Sequence, residues 1–181
     1  MYLCGIIKNM DKITLSGKFW FDPANRTKKQ NNQSSWKRVA MVIFNTDVVL
    51  YYQWFLLKRY NLTLVNPLRG GHITVINDSL RDLTHNGKID ITIVDDKWNK
   101  LKNKYNGIDI DCVVSPQVGT NGEAWWLRVE ANDNPMFCEV RSELGLGNPY
   151  FPYHLSLGYA NNKQIEHSQY IKSLYDNGFI Q

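Results

Sequence analysis

Two tripeptides constrain this chain more than any other feature: His72-Ile73-Thr74 and His154-Leu155-Ser156, each inside a short apolar run. Such runs read as buried strands, in which successive side chains alternate between two faces. His72 and Thr74 then point one way while Ile73 and Val75 pack behind them, and His154 and Ser156 share a face in the same manner. A fold that sets the two strands side by side brings two imidazoles and two hydroxyls to one point. That set suits a phosphate better than a metal: one imidazole takes a proton, the other gives one, and the hydroxyls donate hydrogen bonds to non-bridging oxygens. Gly70 and Gly71 before the first unit, and Gly158 at the next same-face position after the second, leave room for a ligand or a close backbone approach. A lone histidine on a half-buried strand is more often a packing or surface residue than a catalyst, so the argument rests on the pair. His85, in a turn sequence, and His167, in a polar helical stretch, read as solvated surface.

The 181 residues suffice for a single domain over 1–181, with one core of its own or as two small lobes that share one. A net charge of +4 favours an anionic ligand and gives no sign of a groove for long nucleic acid. The three cysteines, Cys4, Cys112 and Cys138, lack metal-ligand spacing, and their odd number argues against a disulfide framework; both points fit reduced thiols in the cytoplasm. The amino terminus does not read as a signal peptide, and no apolar run is long enough to span a membrane.

Along the chain, strands are expected over Leu15 to Phe21, Lys37 to Phe44, Gly71 to Ile76, Ile89 to Val94, Ile108 to Val114, Ala124 to Glu130 and Tyr153 to Gly158. Ala24 to Ser35 is a polar, basic loop, and the segment around Asp78 to Gly87 is helix or loop. Helices are expected over Val48 to Tyr60, capped by Asp47, with Leu50, Trp54, Leu57 and Tyr60 at spacings that share a face; from Asp95 or Asp96 to Lys104; from Asn134-Pro135 to Leu144; and over Lys163 to Tyr175. Gly119 to Gly122 reads as a turn. This alternation without a glycine-rich phosphate loop points to an α+β fold with mainly antiparallel sheets. There is no internal repeat beyond the two motifs.

On its His-x-(Thr/Ser) pair the chain resembles the two-histidine (2H) phosphoesterase superfamily, whose hallmark is two such motifs on strands of a two-lobed fold. Further segments resemble a phage group within it: Gly17-Lys18-Phe19-Trp20-Phe21-Asp22-Pro23, Tyr51-Tyr52-Gln53-Trp54, Trp98 through Tyr105-Asn106-Gly107, Ala124-Trp125-Trp126-Leu127 and Val140-Arg141-Ser142-Glu143-Leu144-Gly145-Leu146. That group contains the anti-CBASS phosphodiesterases, which destroy the cyclic oligonucleotide messengers of a bacterial antiphage system. The resemblance runs from about residue 15 to about residue 160. Gly70-Gly71 before the first histidine and the length of the loop at Ala24 to Ser35 depart from the group's pattern, and the segment beyond Asn161 matches nothing in it.

The resemblance implies a two-lobed 2H-like fold, with sheets flanked by helices around a central cleft, and a phosphodiesterase that works without metal or cofactor in the cytoplasm, that of the host if the protein is viral. His72, Thr74, His154 and Ser156 are the expected catalytic residues. Phe21, Trp98 and Tyr159, chosen by resemblance or by nearness to a motif, are expected to stack on nucleobases, although Trp98 has an equal claim to anchor its helix. Of Trp125 and Trp126, adjacent on a strand, at most one lines the cleft. Arg69 and Arg141 are candidate phosphate partners, and Arg141, beside Glu143 on a helix, reads rather as structural or surface. The expected partner is a cyclic oligonucleotide substrate, with no membrane and no long nucleic acid. An enzyme acting on RNA 2′,3′-cyclic phosphate ends and a non-catalytic nucleotide sponge are the competing readings.

Overall fold

A computed structural model describes residues 12–23, 38–67, 69–77, 84–85, 88–89, 93–130, 134–149 and 151–180. It contains β1 (Ile13–Phe21), β2 (Val39–Phe44), α1 (Asp47–Tyr60), β3 (Leu64–Val65), β4 (His72–Asn77), β5 (Thr84–His85), β6 (Lys88–Ile89), α2 (Asp95–Tyr105), β7 (Asp109–Thr120), β8 (Ala124–Val129), α3 (Pro135–Glu143), β9 (His154–Ala160) and α4 (Ile165–Asp176). Helices and antiparallel strands make an α+β fold. Seven strands form one sheet in the order β3-β9-β4-β2-β1-β7-β8, and β8 pairs back onto β9, so that six strands close on themselves. A two-stranded ladder joins β5 to β6. No helix among the described residues is long and apolar enough to cross a membrane.

Alternation places the core. Phe19, Val42, Ile73, Leu127 and Leu155 lie fully buried on one face of the sheet, and side chains from the four described helices join the same core. α1 contributes Tyr52, Leu56 and Tyr60; from α2, Trp98 meets Phe21 edge-on at 4.9 Å between ring centroids; from α3, Phe137 packs on Tyr153 at 5.0 Å. α4 is fastened by a buried hydrogen bond in which Trp125 Nε1 donates to Ser168 Oγ at 2.8 Å. Each large apolar side chain so buried contributes roughly 1.5–3 kcal/mol. The described helices therefore cover one face of the sheet.

Several local expectations shift for identifiable reasons. Asp47 does not cap α1: the helix begins at Asp47, whose N–H donates to Asn45 Oδ1, and the carboxylate sits in the first turn, where the helix dipole favours it. Asp95 and Asp96 occupy the first turn of α2 in the same way, behind Val94. Asn134 does cap α3, accepting from the N–H groups of Met136 and Phe137. β7 runs on to Thr120, through Pro116 and a register shift between Val114 and Val118, so Gly119 lies in a strand rather than a turn. α1 buries Val49, Tyr52, Leu56 and Tyr60, whereas Leu50, Trp54 and Leu57 share the outward face. Tyr60 therefore parts company with the other three. The loop at Ala24 to Ser35 lies outside the described residues, as do 78–83 and 90–92; of the expected strand from Ile89 to Val94, Ile89 ends the short strand Lys88–Ile89, and Ile93 and Val94 are not strand.

Candidate active site

The two motif strands are neighbours. β4 and β9 run antiparallel with Ile73 opposite Leu155, a register that aligns His72 with Ser156 and Thr74 with His154. Because Ile73 and Leu155 face the core, the four polar side chains share the other face. β2 and β8 extend the two rows: Ile43 pairs with His72 and Met41 with Thr74 on one side, while Trp126 pairs with Ser156 and Arg128 with His154 on the other. Each imidazole thus sits across from the other motif's hydroxyl. The two histidines are diagonal neighbours, a relation that spans about 7–8 Å between strands. A phosphate with a hydrogen bond on each side bridges that span.

Both rings are held in the same way. His72 Nδ1 lies 2.9 Å from the Gly70 carbonyl oxygen and His154 Nδ1 lies 3.0 Å from that of Pro152, in each case two residues back along the chain. A carbonyl only accepts, so each Nδ1 carries the proton, and Nε2 is left as the lone-pair nitrogen in the neutral ring. The hydrogen bond also stops the ring from turning over. Two imidazoles are thereby preset in one tautomer, with Nε2 left free of that contact.

Their surroundings set the electrostatics. Burial lowers the pKa of His72 below the usual histidine value; the Gly70 carbonyl opposes the shift, and the positive charges of Arg69 and His154 add to it. Arg69 stands close by: its Nη1 lies 3.7 Å from Met41 Sδ, and Met41 is the residue paired with Thr74. A fixed guanidinium therefore borders the row that holds Thr74 and His154. Ser156 is buried, while His72, Thr74 and His154 are partly exposed to solvent.

Of the expected aromatic contacts, Tyr159 stays a candidate and the other two are corrected. Phe21 and Trp98 are 2% and 3% exposed, packed edge-to-face on each other, and Trp98 Nε1 donates to Asp22 Oδ2 at 3.0 Å. Burial gives them a packing role and leaves no ring face for a nucleobase. Tyr159 is 45% exposed. β8 pairs Ala124 with Tyr159 and Trp126 with Ser156, so a bulge at Leu157 returns Tyr159 to the site face.

Trp126 is the aromatic residue that the sequence left undecided. Its ring lies 5.8 Å from that of His154, and it is only partly buried, whereas Trp125 is 1% exposed on the core side. Gly119 on β7, paired with Trp126, makes room for it: a Cβ there would stand 2.6 Å from Nε1 and 3.0 Å from Cε2. A glycine inside a strand opposite a tryptophan was the available signal.

The remaining residues resolve structurally. Gly158, with φ +152°, serves a backbone approach: a Cβ there would meet the Val65 carbonyl oxygen at 2.6 Å and Leu64 Cβ at 2.9 Å. The same bulge takes it off the face of Ser156, which corrects the same-face placement expected from simple alternation. Arg141 is a structural residue, 4% exposed, donating through Nη1 to the Val75 carbonyl and through Nε to that of Gly147. It braces the strand that carries His72. His167 is not merely solvated, since its Nε2 lies 2.6 Å from the Tyr60 carbonyl oxygen at the end of α1. Nothing is described of the His85 side chain. Among the described residues, no group of three or more His, Cys, Asp or Glu side chains is placed to hold a metal ion.

Comparison with protein-family models, with curated proteins and with solved structures finds no match to this chain.

Proposed function

We propose that the chain is a two-histidine phosphodiesterase of the two-lobed 2H kind. On this reading it opens cyclic di- or trinucleotide immune signals, such as cyclic GMP-AMP, to linear 3′-phosphorylated products, and so blunts a bacterial antiphage defence. One observation carries the reading: two imidazoles on paired strands, each locked through Nδ1 by the carbonyl two residues back, alternate with the hydroxyls of Thr74 and Ser156. A sponge that only binds nucleotides has no need of two preset proton-transfer groups. The identity of the substrate rests on the sequence resemblance.

The substrate supplies its own nucleophile, the ribose hydroxyl next to the scissile phosphate. The lowered pKa of His72 keeps its Nε2 unprotonated near neutrality, which suits it as the base that takes the hydroxyl proton. His154 then carries the proton that goes to the departing 5′-oxygen. Attack on phosphorus breaks the P–O5′ bond and leaves a 2′,3′-cyclic phosphate. Water opens this ring in a second step with the two histidines exchanging roles, giving the 3′-phosphate. Thr74 and Ser156 donate to the non-bridging oxygens, where negative charge builds in the transition state, and the Arg69 guanidinium beside the row adds positive charge to the site.

The shift on His72 has a testable sign. Protonation of the base stops the reaction, so the acid limb of kcat/KM lies below pH 6.5, the ordinary histidine value. Arg69→Gln removes one of the causes that lower this pKa and moves the limb upward, and kcat falls with the lost charge. A pH profile of the native and variant proteins checks both. Trp126→Ala is expected to raise KM roughly tenfold or more, in keeping with a stacking contribution of about 1–3 kcal/mol, and to change kcat less; steady-state kinetics separates the two.

The function itself is tested by incubating the protein with cyclic di- and trinucleotides in EDTA beside the His72→Ala/His154→Ala variant, with products identified by mass spectrometry. Linear 3′-phosphorylated products from the native chain alone support the proposal. Binding without turnover favours a sponge, and turnover confined to RNA 2′,3′-cyclic ends favours an RNA-processing enzyme.

A further inference from the structure

The outward face of α1 is apolar in a way the site does not use. Leu50, Tyr51, Trp54 and Leu57 are 51%, 59%, 56% and 41% exposed, while Val49, Tyr52, Leu56 and Tyr60 of the same helix fill the core. At 100° per residue the four exposed side chains fall within about 120° of helix surface, centred on Trp54. Tyr51 and Trp54 stand 6.4 Å apart with their rings tilted 33°, so they present one continuous aromatic surface. A cluster of large exposed apolar side chains on a single helix face marks an interaction site.

The charges at its two ends indicate what covers it. Asp47 in the first turn and Lys58 in the last lie on this same face, both exposed, and they bracket the apolar stripe. An antiparallel crossing of two such helices, about a two-fold axis between residues 52 and 53, sets Asp47 of each copy against Lys58 of the other. The same operation sets Tyr51 of each copy against Trp54 of the other and brings Leu50 close to Leu57. Both charge pairs and both aromatic pairs form at once, because 47 and 58 are as far from the axis as each other, and so are 51 and 54. A face complementary to itself under a two-fold rotation is the requirement for an isologous dimer.

We propose that two copies of this chain associate through α1, antiparallel, with Trp54 and Tyr51 at the centre and Asp47–Lys58 pairs at the rim. A contact built on one helix per copy is small among specific interfaces, so the dimer dissociates on dilution. The inference is independent of what the histidines do.

Sedimentation velocity over a wide concentration range tests it, with circular dichroism as the check on folding. The native chain is expected to pass from the 21.1 kDa monomer to a species of twice that mass as concentration rises. Trp54→Glu, at an exposed position, weakens the dimer by about thirtyfold or more, as loss of a central aromatic anchor does. Asp47→Lys weakens it by about tenfold through the two rim pairs, and Asp47→Lys/Lys58→Asp, which restores both pairs with their signs exchanged, recovers most of the loss. A native chain that stays monomeric at every concentration overturns the proposal. So does a dimer indifferent to Trp54→Glu, or a double variant no tighter than Asp47→Lys.

Discussion

His154→Ala is expected to lower kcat for phosphodiester cleavage by about 10²–10⁴-fold, with the melting temperature nearly unchanged. The side chain is partly exposed, and its ring is held by the Pro152 carbonyl just before the strand, so its loss removes chemistry rather than packing. His72→Ala is expected to act with similar size. The double variant should fall little further than either single one, because base and acid serve the same step and losing one already disables it. Thr74→Ala and Ser156→Ala are expected to cost less, since each removes one donor to a phosphoryl oxygen while the imidazoles remain. Single-turnover cleavage assays on the four variants rank them. Equal losses for the hydroxyl and imidazole variants would argue against proton transfer as the main role of the histidines.

Gly158→Ala is expected to be among the most destabilising single substitutions in the protein. The backbone at φ +152° lies where side chains are rarely found, and the added Cβ would stand 2.6 Å from a backbone oxygen of β3, an atom that cannot swing aside as a side chain can. The conformational part alone costs about 1–3 kcal/mol. With the clash, a total near 3 kcal/mol or more lowers the melting temperature by about 6–12 °C for a chain of this size. β3 is fixed to β9 by its pairs Leu64–Ala160 and Val65–Tyr159, so the variant should also loosen the strand edge beside Tyr159. Gly147→Ala is the comparison: a Cβ there meets nothing within 4 Å, and its melting point should stay within a degree or two of native. Thermal unfolding followed by circular dichroism decides it. A Gly158→Ala protein that melts with the native one would mean that β3 does not approach β9 in solution as described.

How much of this was legible in the sequence depended on whether the deciding contact was local. The motif strands and the faces of His72, Thr74, His154 and Ser156 follow from alternation over a few residues, and Ile73 and Leu155 lie in the core accordingly. The start of α3 was equally readable, since Asn134 and Pro135 carry their own capping chemistry. α1 was not, because it is apolar almost all round: Leu50, Trp54 and Leu57 have helical spacing as good as that of Val49, Tyr52 and Leu56, and tertiary packing against β9, β7 and α4 chooses between them. Phe21 and Trp98 meet across 77 positions of sequence, so their mutual burial has no local signature. The bulge at Leu157 shifts the phase of every residue after it, which is why simple alternation misplaced Gly158 and why the exposure of Tyr159 could be read only from the pairing with β8.

Two histidines acting on one phosphodiester through a cyclic phosphate leave an isotopic signature in the product. Cleavage of a cyclic dinucleotide in EDTA and ¹⁸O-labelled water, followed in time by mass spectrometry, tests it most directly. The expected result is an early linear species ending in an unlabelled 2′,3′-cyclic phosphate, then a 3′-phosphate carrying a single ¹⁸O, with neither formed by His72→Ala or His154→Ala. A product with a labelled 5′-phosphate, or turnover that survives the loss of either histidine, would contradict it.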